Sequence, residues 1–176
     1  MEILAISGSV RKNSYNTALL NAIVKLSPSH INVTLCESIG DVPSFNPELS
    51  DADIPESVCT LISKIRESDG LIFSCPEYAH GVPGVFKNFL DWLVASDCII
   101  LKPVVVMTVS TSGLGGVRSF SSLVQILSAM NSNVVIDGSL CVPYAKLKFN
   151  ENLDLVDQIT MKAIDVSLLA LARTVN

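Results

Sequence analysis

The sequence predicts an α/β domain in which a parallel sheet of five strands is covered by helices on both faces. Three observations carry that expectation. Short apolar runs alternate five times with stretches of helical periodicity along 176 residues. Several of those runs are continuous and β-branched, as in strands buried on both sides. No internal repeat or linker interrupts the alternation, and the length suits one domain spanning residues 1–176.

The elements follow in order. Ile3 to Ile6 is a short apolar strand, and the polar segment 7–16 after it has no apolar periodicity. Thr17 to Leu26 places apolar residues at 19, 20, 23, 24 and 26, a helical stripe. Ile31 to Cys36 alternates apolar and polar residues and reads as a strand. Ser38 to Asp53 is a loop rich in Pro, Asn, Asp and Ser. Ile54 to Ser68 is a helix with Val58, Leu61, Ile62 and Ile65 on one face, and Gly70 to Cys75 is a buried strand. Pro76 to Gly81 breaks the pattern, and Pro83 to Ser96 is helical with Pro83 in its first turn. Val104 to Val109 is a strand, Ser110 to Gly116 a Gly/Ser loop, and Val117 to Met130 a helix. Asn133 to Asp137 is the fifth strand, and Glu151 to Arg173 a long amphipathic helix.

Composition narrows the function. The net charge is −5 with no basic cluster, which argues against nucleic acid or an anionic membrane as partner. Charged residues make up 16%, against about 25% in an average soluble protein. That scarcity suggests buried strands and an oligomer that hides further area. Five cysteines without a C-x-x-C pair and two histidines give a metal little to bind, so no metal site is expected. Cys36 and Cys75 fall on strands and read as free core thiols. The start Met-Glu-Ile-Leu lacks a basic secretory leader, and no apolar stretch is long enough to span a membrane. The expected location is the cytoplasm.

A parallel sheet brings segments 7–16, 76–83 and 110–116 to the carboxyl edge of its strands, where ligands bind. The first resembles an anion cradle. Gly8 allows a tight turn, Ser9 and Ser14 offer hydroxyls, and Arg11 offers a planar charged fork. Asn16 stands at the helix start, where free N–H groups and the helix dipole favour a monophosphate. Neither G-x-G-x-x-G nor G-x-x-x-x-G-K-[ST] is present. The second segment, Pro76 to Gly84, is stiff and closely approachable, with Tyr78 as an aromatic wall for a flat ring. Glu77 has no evident nucleophile or metal partner and reads as structural, and His80 as a partly exposed loop residue. Lys87 and Asp91 are spaced for an intrahelical pair or a subunit contact, and Trp92 for the core or an interface. In the third, Ser110 to Gly116, small residues leave room for a ligand edge; G-x-S-x-G is absent.

Gly8-Ser9-Val10-Arg11-Lys12-Asn13-Ser14-Tyr15-Asn16 resembles the G-S-x-R-x-x-S-x-N motif of the NADPH-dependent FMN reductase family. Pro76-Glu77-Tyr78, Pro83-Gly84, Lys87-Asn88 and Asp91-Trp92 are similar to its P-E-Y-N-x-x-x-P-G-x-x-K-N-x-x-D-W segment. Ser44-Phe45-Asn46-Pro47-Glu48 and Gly115-Gly116 with Arg118 match two further steps. The resemblance implies a flavodoxin-like three-layer sandwich of strand order 2-1-3-4-5. It also implies an NAD(P)H-dependent FMN oxidoreductase whose acceptor is a quinone, flavin, azo compound or metal ion. Hydride would pass from nicotinamide to flavin N5 and on to the acceptor in a ping-pong cycle, with no catalytic side chain required. NADPH or NADH would be co-substrate, with Arg118 the candidate for a 2′-phosphate. By position, Ser9, Arg11, Ser14 and Asn16 would hold the FMN phosphate. Pro76, Glu77 and Tyr78 would run beside the ring, and Ser110 and Gly113 would flank its other side. Ala79 departs from the family's Asn, which implies altered affinity or redox tuning. The family implies a homodimer or homotetramer. A non-enzymatic flavodoxin-like electron carrier or a flavin-binding redox sensor is the alternative; Arg11 disfavours the carrier.

Overall fold

Strand alternation sets the layers. In the computed structural model, which describes residues 1–36, 38–49 and 53–175, β1 (Glu2–Ser7) turns Ile3 and Ala5 to one face and Leu4 and Ile6 to the other. Its neighbour β3 (Gly70–Ser74) is buried throughout and does the same with Ile72 against Leu71 and Phe73. β4 (Pro103–Val109) follows, with Val105 and Met107 against Val104 and Val106. The first face is covered by α1 (Tyr15–Leu26) and α6 (Gln158–Val175) through Leu19, Ile23, Ile164 and Leu168. The second is covered by α2 (Glu56–Glu67), α3 (Gly84–Val94) and α4 (Val117–Ala129) through Ile65, Phe86 and Leu123. With β2 (Asn32–Leu35) and β5 (Asn133–Val134), the order is β2-β1-β3-β4-β5, all parallel, as expected. The helix after β1 and the helix after β3 go to opposite faces, so the switch point lies between these adjacent strands.

Three expectations need correction. The fifth strand is two strands: β5 pairs with Pro103–Val104, and β6 (Leu140–Val142) pairs with Met107–Val109. The 3₁₀ turn Ile136–Gly138 takes up the residues that β4 has no partner for. The last helix starts at Gln158, not Glu151. Asn150 Oδ1 accepts the N–H groups of Asn152 and Asp154 and holds that stretch as a turn. Asp157 then caps α6 by accepting the Thr160 N–H at 2.9 Å, while Lys148 of a further short helix, α5 (Ala145–Lys148), donates to it at 2.8 Å. Lastly, Pro83 is the N-cap of α3, one place before its first turn. Residues 50–52 of the expected Ser38–Asp53 loop lie outside the described residues.

Two sequence segments that carried the resemblance meet here. Asn88 of α3 accepts the Phe45 N–H at 2.8 Å and donates to the Pro43 carbonyl at 2.9 Å. Trp92 donates to the same carbonyl at 2.8 Å and packs edge-on against Phe45, centroids 5.2 Å apart. Trp92 is therefore buried beneath the loop after β2, and Lys87 pairs with Asp91 within the helix.

Candidate functional site

The chain leaves β1 close against its neighbour. Gly8 donates its N–H to the Ser74 carbonyl at 2.8 Å, extending the β1–β3 ladder. A Cβ there would lie 3.1 Å from the Phe86 ring and 3.3 Å from Pro76. The glycine therefore serves close packing of the first two loops. Ser9 is buried; its N–H donates to Ser7 Oγ, and its Oγ accepts the Arg11 N–H, both at 3.3 Å. The loop ends at Ser14, the N-cap of α1, whose Oγ accepts the Asn16 N–H at 3.2 Å.

Asn16 lies inside the first helical turn and is buried. Its Oδ1 accepts Ser74 Oγ–H at 3.0 Å and the Val109 N–H at 3.1 Å, and its Nδ2 donates to the Val109 carbonyl at 3.1 Å. One side chain thus ties α1 to the ends of β3 and β4. Sequence position alone gives no sign of this clasp, because its partners lie 58 and 93 residues away.

The second loop closes on itself. Tyr78 and Gly81 exchange two backbone hydrogen bonds of 3.1 and 3.0 Å across Ala79 and His80. Both central residues have positive φ, +48° and +64°. That is the geometry of a hairpin turn that favours Asn and Gly. The family's Asn at position 79 thus suits the backbone, whatever its side chain does.

Glu77 anchors the loop. Its Oε2 accepts the N–H groups of Arg118 and Ser119 at 3.0 and 3.2 Å, so it caps α4 from outside. His80 Nδ1 lies 3.4 Å from Glu77 Oε1 and 3.0 Å from Arg118 Nη1. Burial pushes the Glu77 carboxyl up, but hydrogen bonds from Ser119, His80 and Arg118 outweigh it and hold it below its ordinary value. Behind it, Ser119 Oγ–H donates to the Pro76 carbonyl at 3.0 Å and contacts Cys75 Sγ at 3.2 Å. Burial pushes the Cys75 thiol up to about 12, so it is a core thiol, as expected.

The third loop is tied to the chain after β6. The Ser110 N–H donates to the Val142 carbonyl at 3.0 Å, and the Ala145 and Tyr144 N–H groups donate to Ser110 and Ser112 at 3.0 and 3.1 Å. A Cβ on Gly113 would lie 2.6 Å from the Tyr144 hydroxyl.

Arg11, Ser14, Asn16, Pro76, Glu77, Tyr78 and Ser110 line one cavity of about 130 Å³, completed by Tyr15, Val109 and Thr111. The structure therefore brings seven of the nine predicted site residues together. Ser9 shapes the loop behind Arg11, and Gly113 lies under Tyr144; neither lines the cavity. Tyr15, Val109 and Thr111 are readable as chain neighbours of predicted residues. Tyr144 has no such signal, since it arrives from beyond β6.

The donor set suits a phosphate monoester joined to a flat ring. The Arg11 guanidinium is exposed and makes no hydrogen bond or ion pair with any described residue. It stands with the Ser14 hydroxyl at the start of α1, where the helix dipole favours an anion. Tyr78, half-exposed, is an aromatic side chain of the lining. Among the described residues no cluster of three His, Cys, Asp or Glu is placed to hold a metal ion.

A profile of the NADPH-dependent FMN reductase family matches residues 1–146. The chain is 32% identical over 138 residues to the quinone reductase of Escherichia coli K12, covering 77% of this chain and 73% of that one. It is also 32% identical to the NADH-dependent flavin reductase subunit 2 of Lactobacillus johnsonii, over 95% of this chain and 93% of that one. Among solved structures, the flavoenzyme NAD(P)H:(acceptor) oxidoreductase of Paracoccus denitrificans superposes with a TM-score of 0.88 at 26% identity. That match covers 99% of this chain and 96% of its counterpart.

Proposed function

The chain belongs to the NADPH-dependent FMN reductase family, and on that premise we propose how its three-loop cavity holds FMN and serves the reaction. Like its relatives it is a flavodoxin-like, NAD(P)H-dependent FMN oxidoreductase of the quinone reductase type. FMN, held by these loops, would supply the redox chemistry between a reduced nicotinamide and a small acceptor.

The protein's part is to bind and orient. Arg11 and Ser14 hold the phosphate, with the start of α1 behind them. Pro76, Glu77 and Tyr78 present a rigid backbone edge to the ring, which the Glu77 cap on α4 keeps in place. Ser110 borders the opposite side. Asn16 acts through its clasp on β3 and β4, fixing the distance between the loops. The convergence of seven predicted residues on one cavity is the observation that carries this reading.

No side chain of the cavity is arranged as a general acid or base. Glu77 is engaged by two backbone N–H groups and stays ionised. The nicotinamide and the acceptor would then use the one cavity in turn, for which a ping-pong rate law is expected. Acceptors are quinones, free flavin, azo compounds or oxidised metal ions.

The reading extends to a homo-oligomer in the cytoplasm. Val94, Ile100 and Leu101 are exposed beside a groove of about 410 Å³ between α3 and the end of α4, which supports self-association. Among the described residues no helix is long and apolar enough to cross a membrane.

The test is a visible spectrum of the FMN-loaded protein under anaerobic addition of NADPH and, separately, NADH. Bleaching of the flavin bands by either nicotinamide, with parallel double-reciprocal plots for a quinone acceptor, is the expected result. Bound flavin that stays oxidised with both would move the assignment to an electron carrier or sensor.

A further inference from the structure

A second, larger cleft adjoins the first cavity at the start of α1. It has a volume of about 540 Å³ and shares Ser14 with the smaller cavity. From there it runs along α1 to Leu26, with residues 152–155 as its opposite wall. That volume lies in the range of small-molecule sites, roughly 300–1,000 Å³.

We propose that this cleft takes the adenylate arm of flavin adenine dinucleotide, so that the chain binds FAD as well as FMN. The inference rests on placing the flavin phosphate at Arg11 and Ser14. In FAD that phosphate leads on to a second phosphate, a ribose and adenine, and the cleft adjoins the assigned phosphate end of the site at Ser14. The cleft supplies what each part needs.

Lys12 stands at its mouth, exposed and without a partner among the described residues, as a cation for the second phosphate. Ala18 and Ala22, one helical turn apart and buried, form a floor with Leu155 that a flat base can cover. Asn21 and Asn152 stand on facing walls. A side-chain amide pairs with the donor and acceptor on the edge of adenine. At the far end Lys25 and Asp154 neutralise each other at 2.9 Å, so no unbalanced charge faces the base.

The experiment measures affinities of the apoprotein for FMN, FAD and riboflavin by calorimetry. It uses the wild type and two variants that fill the cleft without touching the smaller cavity, Ala22→Phe and Asn21→Trp. Asn21 is exposed, so its variant keeps the fold if the buried Ala22→Phe does not. Wild-type protein is expected to bind FAD within about tenfold of FMN, and each folded variant to lose about tenfold in FAD affinity. FMN affinity is expected to stay unchanged. FMN binding without FAD binding would overturn this inference alone, as would variants that weaken both flavins equally or neither. Failure to bind either flavin would overturn the cavity assignment beneath it as well.

Discussion

The loop after β1 and the loop after β3 border the same cavity and are built in opposite ways. In the first, Arg11 lines the cavity, is exposed and makes no hydrogen bond or ion pair with a described residue, while Ser14 caps α1 beside it. In the second, Tyr78 and Gly81 are bonded to each other, and Glu77 is bonded to α4. On the proposed reading the first loop is the binding surface, and the second is a rigid wall. Substitutions in the first should therefore change affinity with little change in stability, while substitutions in the second should change both.

The largest stability effect should come from removing the anchor of the wall. Glu77→Ala deprives the start of α4 of its acceptor and is expected to cost about 2 kcal/mol. For a chain of this size that is a fall of roughly 4–8 °C in melting temperature. Flavin affinity should fall with it. An unchanged melting curve for the apoprotein would remove the distinction between the loops.

Asp157 gives a comparison outside the site. Hydrogen bonds from Lys148 and then Thr160 hold its carboxyl at about 2, well below its ordinary 3.8. A depressed carboxyl contributes stability that is present above its unfolded value and is lost as pH falls through the folded one. Acid titration of the apoprotein should therefore show a loss between about pH 4 and pH 2, worth about 1 kcal/mol for a helix cap. Asp157→Asn should flatten that limb and leave flavin binding alone. Glu77 has the same sign: its contribution is lost as pH falls below its ordinary value of 4.5. Glu77→Gln should flatten the acid limb while also weakening flavin binding.

The smallest effect sharpens the view of the wall. Ala79 holds a φ of +48°, which Asn tolerates better than Ala. Ala79→Asn should raise stability by about 0.5 kcal/mol, read as a small rise in apoprotein melting temperature. A fall would mean that the turn between Tyr78 and Gly81 carries no backbone strain for Asn to relieve.

The lining of the three-loop cavity was legible in the sequence where it is local. Arg11 and Ser14 lie within one short loop and reach the cavity together, whereas Gly8, read as a turn residue, instead serves packing against Phe86 and Pro76. The doubly covered parallel sheet was legible because β1, β3 and β4 each carry a continuous apolar run, whereas the strand order came from the family resemblance. The rest depends on partners far along the chain. Asn16 reads as a phosphate ligand at a helix start, but its amide reaches β3 and β4. Gly113 reads as open space, but Tyr144 covers it. The break between β5 and β6 depends on their register with β4, which local hydrophobicity does not report.

The most direct test of the binding surface compares FMN with riboflavin, which lacks only the phosphate, in wild-type protein and Arg11→Ala. The wild type is expected to prefer FMN by about a hundredfold and Arg11→Ala to lose most of that preference, since a charge-assisted phosphate contact contributes about 1.5–3 kcal/mol. Riboflavin affinity and apoprotein melting should stay unchanged. A variant that keeps the full preference for FMN would contradict the assignment of the phosphate to Arg11.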